Sequence, residues 1–147
     1  MNKEKQEILY TKYPKLFRQK DLPMSESCLA FGIECGDGWY SLIDELSQEL
    51  TDLYTDMIEY AQIKSKFGLL TVHLDRLGGT TAFSDFLQLI QKYESRSITI
   101  CELCGKEATR KSVNGWINTL CELHMAEIES RGIDNIDQLN GYSEPLE

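Results

Sequence analysis

Cys101 and Cys104, then Cys121 and His124, are the residues whose types and spacing could do chemistry. They read C-E-L-C, sixteen residues, C-E-L-H. Two close pairs of thiolate and imidazole donors are what tetrahedral zinc takes in a structural site. Gly105, directly after the first pair, lets the backbone turn tightly. Leu120 to Arg131 reads as a helix, and residues three apart on a helix share a face, so Cys121 and His124 can reach one ion. A helix N-terminus also favours thiolate over thiol. The expectation is one structural Zn²⁺ on Cys101, Cys104, Cys121 and His124. Four protein donors leave no coordination position for a reacting water, so no catalytic residue is assigned.

The elements around these ligands must hold them. Ser97 to Ile100 reads as a strand entering a knuckle, and Lys111 to Ile117 as a hairpin turning at Asn114-Gly115. Knuckle, hairpin and helix in that order form the arrangement called a treble clef. Upstream, Lys3 to Tyr13 has helical spacing and Pro14 ends it. Asp21 to Gly38 reads as loop, with a short strand at Leu29-Ala30-Phe31 and Ile33. The strongest helix is expected over Trp39 to Tyr60, where Leu42, Leu46, Leu50, Leu53 and Met57 recur at three and four. Gln62 to Asp75 suggests a hairpin turning at Lys66-Phe67-Gly68. Gly78-Gly79-Thr80 breaks the chain. Thr80 or Thr81 then caps a helix over Ala82 to Tyr93, with Phe83, Phe86, Leu87, Ile90 and Tyr93 as its buried stripe. Trp39 and Trp116 read as core anchors. The fold class is therefore α+β: a small helical and β-hairpin domain over 1–96, a treble-clef-like zinc module over 97–132, and an acidic tail over 133–147 steadied by Ile133, Ile136 and Leu139.

A chain of 147 residues with 41% hydrophobic content can bury a core. The absence of a long apolar run, and a start of Met1-Asn2-Lys3-Glu4-Lys5 without a signal-like apolar core, make the cytoplasm the expected location and a membrane an unexpected partner. Five cysteines, three of them in the metal motif, do not make a disulfide framework. Cys28 and Cys35 could form a second site with His73, but their scattered spacing favours small buried thiols, with His73 a surface histidine on a strand. Gly36-Asp37-Gly38 reads as a turn, without the rest of a phosphate-loop pattern.

The net charge of −9 is unevenly placed. Asp21 to Ile63 holds ten acids and no base, whereas residues 1–20 hold six bases and two acids. Glu45, Glu49, Asp52, Asp56 and Glu59 are spaced four, three, four and three, which lines them along one side of the expected helix. That comb is the candidate surface for a protein with a basic face, such as a nucleic-acid-binding protein. Between Gln91 and Arg131 six bases meet six acids, a balance poorly suited to gripping phosphates. The alternative is a nucleic-acid-binding zinc finger, using Lys3, Lys5, Lys12, Lys15, Arg18 and Lys20 with Arg110 and Lys111. HNH nucleases share the treble clef but need a histidine base on the hairpin, and Lys111 to Ile117 has none.

Three stretches resemble a family of uncharacterised bacteriophage and prophage proteins: Gly32-Ile33-Glu34-Cys35-Gly36-Asp37-Gly38-Trp39 with the helix after it, Gln62 to Gly68, and the Cys101/Cys104 and Cys121/His124 module. The chain departs from that pattern after Gly68, where Leu69, Leu70, Thr71 and Val72 replace a glycine followed by a basic and an aromatic residue. The resemblance implies a zinc site and a phage context, in a bacterial host cytoplasm. By analogy with other small acidic phage proteins, it implies an accessory role in which a host defence protein is bound and inhibited.

Overall fold

A computed structural model describes residues 1–54, 56–77 and 83–132. Among these the chain is α+β, with four α-helices and two small antiparallel sheets. The expected cap at Thr80 or Thr81, the Gly78-Gly79 break, the side chain of Phe83 and the tail at Ile133, Ile136 and Leu139 lie outside the described residues. No described helix is long and apolar enough to cross a membrane.

Helix α1 spans Lys3–Lys12, and the Asn2 side chain accepts from the Lys5 amide at its start. The chain leaves through Tyr13 and Pro14 and forms short 3₁₀ turns at Arg18–Asp21 and Cys28–Phe31. The strand expected at Leu29-Ala30-Phe31 is therefore a turn: the Ser27 hydroxyl caps it by accepting from the Leu29 amide. Strand-like pairing falls instead on Glu34, which lies parallel to the first strand of the sheet.

Helix α2 spans Tyr40–Tyr54, shorter than the expected Trp39 to Tyr60. The apolar spacing runs on through Leu53 and Met57, yet both are exposed. A second, alternating pattern begins at Ile58 and wins: Ile58 and Tyr60 bury one face of β1 (Ile58–Lys66), which pairs with β2 (Leu69–Arg76). Asp56, at φ 68°, makes the turn between helix and strand. Asp56 and Glu59 are consequently not on the helix, and the five-acid comb does not exist as one face. The hairpin turns at Phe67-Gly68, both in the left-handed region, as a two-residue turn requires.

Both edges of this two-stranded sheet are partly covered. Glu34 donates to the Ile63 carbonyl and accepts from the Ser65 amide, both at 2.9 Å. On the far side, helix α3 (Phe83–Ser97) lays side chains along β2. Ser97 Oγ accepts from the Leu70 amide at 3.0 Å, and Glu94 accepts from the Val72 amide at 2.9 Å. The core lies between this sheet and the helices, around Trp39, Leu46, Leu50, Tyr60, Phe86 and Phe17. Ser47 and Tyr60 satisfy each other's buried hydroxyls at 2.8 Å. Leu87, expected in the buried stripe of α3, is partly exposed.

The strand expected over Ser97 to Ile100 is instead the end of α3 and a turn, with Ile100 alone in a bridge to Glu107. The chain then passes through the Cys101–Cys104 turn into a hairpin, β3 (Thr109–Val113) and β4 (Trp116–Leu120), and then α4 (Glu122–Arg131). Asn114-Gly115 makes the turn with both φ values positive. A second apolar cluster of Val113, Leu120, Met125 and Ile128 surrounds Cys101 and Cys121. Trp39 is fully buried, as expected of an anchor, whereas Trp116 is 53% exposed and is not a core residue.

Candidate metal centre

The ligand cluster is built by three local devices. The first is the turn at Cys101–Gly105. The Gly105 amide donates to the Cys101 carbonyl at 2.9 Å, the Cys101 amide donates to Lys106 at 2.7 Å, and Gly105 sits at φ 81°. The second is β4, which delivers Cys121 at the N-cap of α4. The third is α4 itself, which sets His124 one turn on, beside Cys121.

The donor atoms of Cys101, Cys104, Cys121 and His124 all lie within 4.8 Å of one another. Cys104 and Cys121 sulfurs are 3.7 Å apart; His124 Nδ1 is 3.5 Å from the Cys101 sulfur and 3.2 Å from that of Cys121. A regular tetrahedron around zinc, with metal–sulfur bonds of about 2.3 Å, has S···S edges of about 3.8 Å and S···N edges of about 3.6 Å. The spacing and the chemistry of the donor set therefore fit a tetrahedral metal ion, zinc included. Nδ1 is the histidine donor that points inward.

Burial divides the ligands. Cys101 and Cys121 are buried, His124 is half-buried and Cys104 is exposed. Burial pushes the Cys101 thiol up to about 11. Burial acts the same way on Cys121, but the backbone N–H of His124, the other two thiols and the N–H of Leu123 outweigh it and leave that thiol lowered. Cys104 opens on a cleft of about 310 Å³ that Glu45 and Arg96 also line.

Glu102, between the first two ligands, is the residue that sequence reasoning missed. It is 2% exposed. Its Oε2 accepts from the Gly36 amide at 3.0 Å and its Oε1 from the Ser65 hydroxyl at 2.8 Å. Its carbonyl accepts from the Gly38 amide at 2.8 Å, and its own amide donates to Thr119 at 3.0 Å. The glycines of Gly36-Asp37-Gly38 are needed for this approach. A Cβ on Gly36 would lie 2.3 Å from the Glu102 carbonyl oxygen, and one on Gly38 2.0 Å from that of Cys101. Trp39 Nε1 donates to the Ile100 carbonyl at 2.8 Å, and the Asn2 side chain and amide hold Asp37. Gly36-Asp37-Gly38 thus forms a strap against the ligand turn. The only signal in the sequence was an acid amid apolar and ligand residues, which does not reveal burial.

Cys28, Cys35 and His73 do not come together among the described residues. Cys28 and His73 are exposed and Cys35 is buried; burial, then Glu102, raises its thiol. The buried reading of Cys28 is thereby corrected.

The acidic residues separate into two groups. Glu45 pairs with Arg96 at 3.1 Å and Glu49 with Lys92 at 3.4 Å, both on α3, while Asp52 accepts from Gln48. Asp56 and Glu59 instead meet the N-terminal arm, through Lys15 and Arg18. Four of the arm's six cations are thus paired with acids, Lys12 on Asp44 and Lys20 on Asp21 besides Lys15 and Arg18. Lys111, one of the two finger cations, pairs with Glu129. Compared with models of known families, with characterised proteins and with solved structures, the chain matches none.

Proposed function

We propose that this chain is a zinc-binding protein that acts by binding a partner protein with a basic surface. The observation that carries the metal part is the four-donor cluster with tetrahedral spacing. Zinc there supplies a fixed cross-link between the Cys101–Cys104 turn and α4, in a knuckle–hairpin–helix order that fits a treble clef. With four protein donors the ion is structural.

The partner surface is the Glu45, Glu49 and Asp52 ridge of α2, which carries no base of its own. Lys92 and Arg96 already pair with two of these acids. These two exposed ion pairs are worth about 0–1 kcal/mol each, so a partner can displace them at little cost while the Tyr93 hydroxyl keeps its bond to Glu49. The phage context implied by the resemblance makes a host defence protein or a nucleic-acid-binding protein the first to try. The nucleic-acid reading is weaker, because Lys12, Lys15, Arg18 and Lys20 are engaged with acids of the same chain.

The test compares wild type with Glu45→Lys/Glu49→Lys/Asp52→Lys in capture from host lysate, at rising salt. Expected is a protein held by wild type, released as salt rises and lost in the triple variant. Equal capture by both sinks the surface. Elemental analysis should give one zinc per chain, and protein that carries no zinc and takes none up on titration would sink the metal reading.

A further inference from the structure

We infer that Glu102 links metal binding at the cysteine cluster to the strap Gly36–Trp39 that starts α2, making the strap part of the metal site's support. The inference rests on reading the cluster as a metal site and adds the residues that hold its ligand turn in place. Glu102 lies between two ligands and cannot move independently of them. Through its side chain and carbonyl it receives the amides of Gly36 and Gly38, and through its amide it reaches Thr119 on β4. Ile100, one residue before the first ligand, receives the indole N–H of Trp39.

The strap is tied to the ligand turn through the Glu102 carboxylate and the carbonyls of Glu102 and Ile100. Releasing the ion frees that turn, and the amides of Gly36 and Gly38 then lose fixed acceptors. Conversely, a strap that cannot approach weakens the ion's hold. Linkage makes the two effects equal in size. Glu102 is thus a positioning residue, acting on the metal through Cys101 and Cys104. Partners that orient ligands typically change metal affinity about 10–100-fold when altered.

The experiment titrates Zn²⁺ against a chromogenic chelator in wild type, Gly38→Ala, Glu102→Gln and the exposed control Ser112→Ala. Amide exchange is followed at Gly36, Gly38 and Trp39 with and without zinc. Gly38→Ala and Glu102→Gln should bind one zinc about tenfold or more weakly, and Ser112→Ala as wild type. In wild type, zinc removal should strip protection from the strap amides as well as from residues 101–124. Should Gly38→Ala fail to fold, Glu102→Gln and the wild-type exchange still decide. Affinities within twofold of wild type, or strap amides that stay protected when zinc is gone, overturn the linkage alone. No zinc bound by wild type overturns the metal reading and the linkage together.

Discussion

At the scale of single residues, ligands and charges behave differently. In the proposed zinc site the four donors act as a set, since each would supply one corner of the tetrahedron. Cys104→Ser or His124→Ala should therefore reduce bound zinc from one per chain to a small fraction, read by elemental analysis after gel filtration. Full occupancy in either variant would remove that residue from the site. The carboxyls are graded. The Tyr93 hydroxyl, then Lys92, holds Glu49 below its usual 4.5. Burial would raise Asp44, but bonds from Lys12 and Tyr13 leave it below 3.8. Depressed carboxyls stabilise the fold above their ordinary values, and that stability is lost as pH falls through the lowered ones. Glu94, raised by burial, has the opposite sign and softens the slope. The denaturant midpoint of metal-free protein should fall between about pH 5 and 3, and Glu49→Gln should flatten part of that fall. An unchanged slope in Glu49→Gln would show its pairing contributes nothing.

At the scale of elements, the turns and the central helix carry the specification. Gly68 sits at φ 73°, and an added Cβ would stand 3.1 Å from Asn118 and Thr119. Thr119 Oγ1 also donates to the Gly68 carbonyl, at 2.5 Å, so this turn docks the first hairpin on the second. Gly68→Ala should cost about 1–2 kcal/mol by denaturant unfolding, from backbone strain and crowding together. A loss below about 0.3 kcal/mol would mean the turn adjusts freely. Leu46 is fully buried in the middle of α2. Leu46→Ala should cost about 2–5 kcal/mol, as lost burial plus a cavity. Glu45→Gln, on the exposed ridge of the same helix, should cost less than about 1 kcal/mol. Comparable losses at the two positions would contradict the assignment of core and surface faces.

At the scale of the molecule, two apolar clusters are joined by a polar seam: Glu102, the Gly36–Trp39 strap and the Gly68 turn. The ion is expected to hold one side of that seam. Chelation should lower the midpoint of thermal unfolding by about 10 °C or more, since structural zinc contributes its binding free energy to folding. The midpoint should be restored by zinc. A chelated, demonstrably metal-free protein with an unchanged midpoint would show that the ion does not support the fold.

The ligand spacing, the helix at Lys3–Lys12, the Phe67-Gly68 and Asn114-Gly115 turns and the core face of α2 were legible in the chain, because each depends on residues close in sequence. What depended on distant contacts was not. Leu53 and Met57 continue a helical spacing, yet Ile58 onward pairs with β2, and strand pairing across the turn outweighs the local pattern. Glu34 becomes a third strand position only because Ile63 and Ser65 offer it backbone partners. The acidic comb dissolved for the same reason: its last two members leave the helix and meet cations some forty positions earlier. Sequence fixes which side chains can bind a metal, through donor chemistry and spacing. Only the tertiary structure decides which acid is buried behind them, since burial is a property of what folds on top.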